Sequence, residues 1–294
     1  ETQIKSVNGL PSYDYETLLQ HKKRARDRAG LESGCIIFTT SGTTKTPKLV
    51  LHGQKGVSQH ASEVALRLSF DQPEAALLQV IPFCGVFGFS QALAALAGSA
   101  EIVCVPEFSV DETLELIDKH KITHLCGSDE MFMRLLNARP KPNPFPTIKF
   151  FGYANFTPSL RDAVARADRQ DVKMVGLYGS SEMLAYFAAQ RSNDAVNSRT
   201  RMGGFLMSKL AHVRVRDPNS DRLLAEGEIG ELEFKSPSMM LEYVNDKEAT
   251  SAVITSDGFF RSGDLGRLCA DGSFEFLSRM GDVLRLGGFL VNPQ

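Results

Sequence analysis

Between residues 35 and about 187, short apolar runs rich in β-branched side chains alternate with longer stretches whose apolar residues recur at helical spacing. That alternation restricts the fold more than any other feature. A strand apolar on both faces has to be covered on both, and intervening helices supply the cover. The pattern therefore predicts an α/β fold with a mainly parallel sheet layered with helices. The expected strands are 35–39, 76–81, 102–105, 124–126, 149–151 and 173–177. A helix is expected over 110–120, where Val110, Leu114 and Ile117 share a face and Ser109 and Glu112 have capping-box spacing. Thr157-Pro158 reads as an N-cap followed by proline at the first helical position. After about Arg199 the texture changes. Runs at 212–216, 230–234 and 274–277 are separated by the turn pairs Pro218-Asn219, Asp257-Gly258 and Asp271-Gly272. That predicts a small antiparallel β subdomain toward the C-terminus. The expected organisation is a polar segment or linker at 1–33, an α/β subdomain at 34–198, a β-rich subdomain at 199–277 and a closing segment at 278–294.

With 294 residues, 43% of them hydrophobic, the chain can bury a sizeable core. A net charge of −2 and the lack of a long basic run leave no electrostatic footprint for nucleic acid; His21-Lys22-Lys23-Arg24-Ala25-Arg26 reads as a solvated helix face. No stretch has the length of a membrane span, since the apolar region from 92 to 105 is interrupted by Gly98-Ser99 and Glu101. Cys35, Cys84, Cys104, Cys126 and Cys269 are odd in number and scattered, and three lie in apolar runs. They read as reduced, mostly buried thiols of a cytoplasmic protein. A start at Glu1 without Met reads as an excised piece. His120 and His124 are four apart, but a strand starts between them, so they do not make a zinc pair. The proline-rich stretch 139–146 reads as a stiff surface loop, with a polyproline ligand as the alternative.

Three segments carry groups suited to chemistry. In Thr40-Ser41-Gly42-Thr43-Thr44-Lys45-Thr46-Pro47-Lys48, a strand breaks into a hydroxyl-dense loop that precedes a helical pattern at about 53–69. Ser41, Thr43 and Thr44 supply short donors, Gly42 lets backbone N–H groups turn inward, and Lys48 adds a mobile positive charge. The loop suits a polyphosphate; the plainer alternative is a Ser/Thr-rich surface turn. It lacks the G-x-x-x-x-G-K-[ST] pattern of the common nucleotide hydrolases. In Gly176-Leu177-Tyr178-Gly179-Ser180-Ser181-Glu182, polar groups follow directly on a buried strand, where ligands of open α/β sheets bind. Tyr178 offers a flat face for a base, Ser181 a hydroxyl, and Glu182 a hard oxygen ligand for Mg²⁺. Alternatively, Glu182 is a carboxylate at a helix start. The third segment, Asp257-Gly258-Phe259-Phe260-Arg261-Ser262-Gly263-Asp264-Leu265-Gly266, places Asp264 after a turn, and a plain hairpin loop is its alternative reading.

Together with Ser278-Arg279-Met280-Gly281-Asp282, these segments resemble, in order, the motifs of the adenylate-forming enzymes: acyl- and aryl-CoA synthetases, luciferases and peptide-synthetase adenylation domains. The phosphate loop is similar to [ST]-S-G-[ST]-T-G-x-P-K-G, with Lys45 and Leu49 at glycine positions. The second segment is similar to Y-G-x-T-E, with Ser181 for threonine, and the third to G-W/F-F-x-T-G-D-L-G, with Ser262 for threonine. The fourth resembles a hinge, G-R-x-x-D-x-I-K, with Ser278 and Arg285 as departures. Glu242 stands where the family's G-Y has glycine, and Gly85 stands at an aromatic or His position of P-L-F-H-x-x-G. The resemblance implies attack of a carboxylic acid on MgATP to give an acyl-adenylate and pyrophosphate, followed by transfer to CoA.

It also implies roles for individual residues. Ser41, Gly42, Thr43, Thr44 and Lys48 would hold phosphates, and Glu182 would hold the metal; Thr43, Lys48 and Glu182 would be catalytic. Tyr178, Gly179, Ser180 and Ser181 would line the nucleotide, as would Gly152 and Tyr153 of Phe151-Gly152-Tyr153-Ala154. Asp264 would take both ribose hydroxyls, Arg279 would approach ribose or phosphate, and Asp282 would be the pivot. Phe83, Phe87 and Met183 would give apolar walls for a hydrophobic acid. Family members carry a further N-terminal segment and a lysine-bearing C-terminal domain. The alternative is therefore a truncated or degenerate module that binds nucleotide or acyl-adenylate without turnover.

Overall fold

The computed structural model describes residues 6–7, 10–11, 30–40, 47–154, 160–280, 284–286 and 289–291. Glu1–Leu31 is one compact unit, in which Ser6–Val7 (β1) pairs antiparallel with Leu10–Pro11 (β2). Glu32–Gln294 is the other.

The main sheet of the second unit begins with five parallel strands, in the order Glu101–Cys104 (β6), Ala76–Gln79 (β5), His124–Ser128 (β7), Phe150–Ala154 (β8) and Met174–Ser180 (β9). Every residue of β5 is buried, the hydrogen-bonded Gln79 included, as are the first five of β9, so that 76–78 and 174–177 read as apolar runs. At β9 the sheet changes character without ending. It continues antiparallel through Leu184–Ala189 (β10), Met202–Leu206 (β11), Phe274–Arg279 (β16), Phe260–Leu268 (β15), Gly230–Lys235 (β13) and His212–Arg216 (β12). The expected antiparallel region is thus an extension of the parallel sheet.

A separate three-stranded antiparallel sheet joins Gly34–Thr39 (β3), Leu49–Gly53 (β4) and Glu242–Tyr243 (β14). This corrects the expectation that 35–39 belongs to the parallel sheet, while the helix expected at about 53–69 forms. The apolar run after the loop pairs back onto β3, so the loop caps a hairpin, and the helix Gln54–Leu68 (α1) starts only after β4. In α1, Val57, His60, Ala61, Val64, Ala65 and Leu68 are buried at helical spacing. Among the described residues the other helices are Val86–Ala97 (α2), Val110–Lys119 (α3), Asp129–Ala138 (α4), Leu160–Arg169 (α5), Val196–Arg199 (α6) and Lys247–Val253 (α7).

Helix α3 forms where expected and buries Thr113, Leu114 and Ile117, but Ser109 at its N-cap makes no side-chain capping bond. Asp111 and Glu112 in the first turn and Lys119 in the last favour the helix through its dipole instead. Thr157-Pro158 and Asp282 lie outside the described residues. His120 ends α3 beside Glu101, whereas His124 opens β7 and is buried, its Nε2 donating to Leu68 O at 2.6 Å. Phe145, from the proline-rich connector, stacks on Phe151 at 5.6 Å and anchors that loop in the core.

The cysteines differ from expectation. All five are unbridged, but Cys35, Cys84 and Cys104 are exposed and only Cys126 is buried. Among the described strands, Cys104 lies on β6 and Cys35 on β3, each at the edge of its sheet. Among the described residues no helix is long and apolar enough to cross a membrane.

Buried His60 gives the fold a pH dependence. Its Nε2 donates to Ala185 O at 2.7 Å, and burial holds its pKa down to about 4. The unfolded chain takes up this proton near pH 6.5, and the folded one only near pH 4. Stability is therefore lost as the pH falls through that window, by on the order of 3 kcal/mol from this group. Urea midpoints at pH 7 and pH 4.5 should differ clearly, and His60→Asn should narrow the difference. An unchanged pH slope in that variant would remove His60 as its source.

Candidate active site

The cavity that gathers most of the chemistry-bearing residues lies where the parallel and antiparallel halves of the sheet meet. It holds about 360 Å³ and is lined by Tyr178, Gly179, Ser180, Ser181, Asp264 and Arg279, with Val86, Phe87, Ala185 and Tyr186 among its apolar residues. The main sheet brings these together because β9 ends in the turn that carries Glu182, and Tyr178 of β9 reaches Asp264 of β15 across the intervening strands. The Asp264–Arg279 register pair spans β15 and β16.

Asp264 is 4% exposed. Its Oδ2 accepts from the Tyr178 hydroxyl at 2.5 Å and its Oδ1 from Arg279 Nη1 at 2.6 Å. Burial pushes its pKa above the usual carboxylate range, against the pull of Arg279 and the Tyr178 hydrogen bond. Tyr178 is raised well above the ordinary phenol range by burial, reinforced by the Asp264 charge. Its ring packs against Phe234, Phe274 and Phe276 at centroid distances of 5.4, 5.1 and 5.9 Å. Asp264 is a strand residue of β15, which sets aside the plain hairpin-loop reading. Glu182 likewise stands in a turn between two strands rather than at a helix start.

That turn is held in an unusual shape. Leu184 and Tyr186 have φ of 66° and 64°, a region that non-glycine residues seldom adopt, and the β9–β10 register slips beside them. His52, on β4, donates from Nε2 to Ser181 O at 2.7 Å; Ser181 Oγ donates to Thr39 O at 3.4 Å, and Met240 N to Glu182 O at 2.8 Å. The side chain of Glu182 accepts at Oε1 from the Tyr243 hydroxyl at 2.9 Å. Gly179 lets β10 approach, since a Cβ there would stand 2.7 Å from Ala185 Cα and Leu184 O.

Of the hydroxyl-rich loop, Ser41, Gly42, Thr43, Thr44 and Lys45 lie outside the described residues, and its base is described. Thr40 N donates to Lys48 O at 3.0 Å and Lys48 N to Thr40 Oγ1 at 3.1 Å, closing the hairpin. Leu49, at a glycine position of the motif, pairs with Thr39 and is 41% exposed, so the hairpin accommodates its side chain. Lys48 Nζ lies 4.5 Å from the centre of the Tyr243 ring. Lys48 and Glu182 thus meet at Tyr243, Asp264 takes Tyr178 and Arg279, and the two tyrosines belong to one apolar cluster. Among the described residues no group of three or more His, Cys, Asp or Glu side chains is arranged to hold a metal.

Other expected residues stand elsewhere. Gly152 and Tyr153 are buried in β8; Tyr153 donates to Arg199 O at 2.9 Å inside the core, and Ala154 of the same strand lines the cavity instead. Of the three expected apolar walls only Phe87 lines it. Phe83 is 51% exposed on the surface, and Met183 is buried among Val50, Phe187 and Met240. Phe87 is placed by a tight start to α2, where a Cβ on Gly88 would stand 2.1 Å from Pro82 O. Tyr243, His52 and Tyr186 carry no motif signal of their own, except that Tyr243 ends the stretch recognised for its G-Y echo.

A family model described as AMP-binding enzyme matches residues 3–244. Probable acyl-activating enzyme 4 of Arabidopsis thaliana is 30% identical over 264 residues, which are 86% of this chain and 48% of that protein. 4-coumarate–CoA ligase-like 2, also of A. thaliana, is 25% identical over 286 residues, 95% of this chain and 50% of that protein. Among solved structures, O-succinylbenzoate coenzyme A synthetase (MenE) from Bacillus subtilis, in complex with ATP and magnesium, aligns with a TM-score of 0.83. Its identity is 20%, over 97% of this chain and 58% of that one, a likeness of fold. The chain spans about half the length of the curated relatives it matches.

Proposed function

The chain belongs to the AMP-binding enzyme family, and from that premise we propose that it serves ATP-dependent activation of a carboxylic acid as its acyl-adenylate, followed by thioester formation with CoA. One observation carries the reading: the 178–181 segment, Asp264 and Arg279 line a single cavity although they come from distant parts of the sequence, and Glu182, next along that segment, meets Lys48 through Tyr243.

In the proposed reaction a carboxylate oxygen of the substrate attacks the α-phosphorus of ATP. A new O–P bond forms, the bond to the bridging oxygen breaks, and pyrophosphate leaves with the electron pair. The step calls for positioning and charge neutralisation more than for proton transfer. Ser41, Gly42, Thr43, Thr44 and Lys48 are assigned to the β- and γ-phosphates. The Tyr178 face and Ala154 are assigned to adenine, with Gly179, Ser180 and Ser181 along the nucleotide. Asp264 and Arg279 are assigned to the ribose. Glu182 fits a magnesium ion that arrives with the triphosphate, because its hydrogen bond from Tyr243 uses Oε1 and leaves Oε2 for a hard cation. When bound, that ion would neutralise phosphate charge. The apolar residues Val86, Phe87 and Ala185 suit the hydrocarbon part of the acid. The CoA step is proposed because a matched relative is named as a CoA ligase-like protein.

Calorimetric titration with AMP should release heat, and no binding would overturn the reading. ATP–pyrophosphate exchange with a panel of carboxylic acids tests the chemistry. AMP binding without exchange for any acid would assign the chain to nucleotide binding without turnover.

A further inference from the structure

Tyr243 is 3% exposed and fixed from several sides. It pairs with Val50 across β14 and β4, its N–H donates to Thr250 Oγ1 at 2.9 Å, and its carbonyl accepts from Asp246 N at 3.1 Å. Its ring is part of the apolar cluster that holds Met183 and Met240. A ring so held has little freedom, yet two parts of it meet charged groups. The hydroxyl donates to Glu182 Oε1 at 2.9 Å, and the ring faces Lys48 Nζ at 4.5 Å. Among the described residues Lys48 and Glu182 each meet Tyr243, with no ion pair between the two. A flexible lysine free to reach a carboxylate would ordinarily pair with it, and each charge would then be spent on the other.

We propose that Tyr243 is a positioning residue that holds the Glu182 carboxylate through one oxygen and Lys48 through its ring face, so that both charges stay available to a metal-bound triphosphate. The inference rests on the reading of Glu182 as the carboxylate that meets magnesium. The chemistry is that of a ligand carboxylate fixed by a hydrogen bond on its other oxygen. Loss of such a bond typically costs about 10- to 100-fold in metal affinity. The cation–π contact adds a second tie through the face of the same ring.

The test is a magnesium titration of ATP binding to the 294-residue chain, followed by calorimetry, with AMP binding in EDTA as the metal-free control. Tyr243→Phe keeps the ring and removes the hydroxyl. It should raise the magnesium midpoint about tenfold and leave AMP affinity in EDTA and the melting temperature unchanged. An unmoved midpoint, or an equal loss of AMP binding in EDTA, would overturn the proposal. Glu182→Gln separates this from the underlying reading. If it leaves the magnesium midpoint where it was, the metal assignment fails and this inference with it. If it raises the midpoint while Tyr243→Phe does not, only the inference fails. In the Glu182→Gln background, Tyr243→Phe should add no further shift, because it acts through that carboxylate; an additive shift would overturn the proposal.

Discussion

Asp264→Asn should reduce AMP affinity at least about 100-fold, the equivalent of losing two charge-assisted hydrogen bonds to the ribose at about 1.5–3 kcal/mol each. It should do so without unfolding the chain. The reason lies in the cost of keeping this carboxylate where it is. Asp264 is 4% exposed and burial raises its pKa, so the folded state binds its proton more tightly than the unfolded one does. For a raised carboxylate pKa, the destabilisation grows as the pH rises from the unfolded value through the folded one, and it is fully present at neutral pH. Asparagine removes that cost and keeps an oxygen for the Tyr178 hydroxyl. The expected pairing is therefore an equal or higher melting temperature with nearly abolished AMP binding. A residue buried only for stability would give the reverse, a lower melting temperature with affinity intact, and that outcome would end the ribose assignment. Asp264→Ala should lose binding as well, but it leaves Tyr178 and Arg279 without their shared acceptor and is the less clean variant.

The sequence made some of this legible and concealed the rest, for physical reasons. The parallel strands were readable because strands buried on both faces carry apolar runs, as β5 does over 76–78 and β9 over 174–177. Strand β4 was not, because Leu49-Val50-Leu51-His52-Gly53 runs directly into the helical pattern of α1 with no turn signal between them. Strand β10 was hidden in a similar way. The turn before it contains neither glycine nor proline, and the strand itself carries positive φ at Leu184 and Tyr186, which no local propensity would suggest. At the site, residues on the same strand as a motif were easily confused. Side chains alternate across a sheet, so Gly152, Tyr153 and Ala154 cannot all face one cavity, and the sequence does not say which of them does. Phe83 and Met183 show the same limit, since hydrophobicity alone does not separate a surface side chain from a core one. Tyr243 was the least accessible, because its meaning depends on contacts with Lys48 and Glu182, which are far away along the chain.

Arg199→Met should be strongly destabilising, by about 2–5 kcal/mol, since it leaves two backbone carbonyls without a donor at about 1–3 kcal/mol each. Arg199 is 1% exposed. Its guanidinium bonds Asp168 through Nη2, Met174 O through Nη1 at 3.1 Å and Asp194 O through Nε at 3.0 Å. One planar fork thus ties the end of α5, the start of β9 and the approach to α6. Methionine fills similar volume but leaves both carbonyls without this donor, and a buried unpaired acceptor bears its full desolvation cost. Asp168 is less exposed to the loss, because Lys173 Nζ also reaches it at 2.9 Å. Arg199→Lys should recover only part of the loss, since an ammonium keeps the charge but cannot span three acceptors in a plane. The measurement is the urea midpoint of the three proteins, and a Met variant within about 0.5 kcal/mol of the parent, the range of an ordinary surface substitution, would refute the argument. Arg199 does not line the cavity, so AMP affinity measured well below the melting temperature should be preserved in Arg199→Met. That is the opposite of the result expected for Asp264→Asn, and the two variants together separate what holds the sheet from what the sheet holds in place.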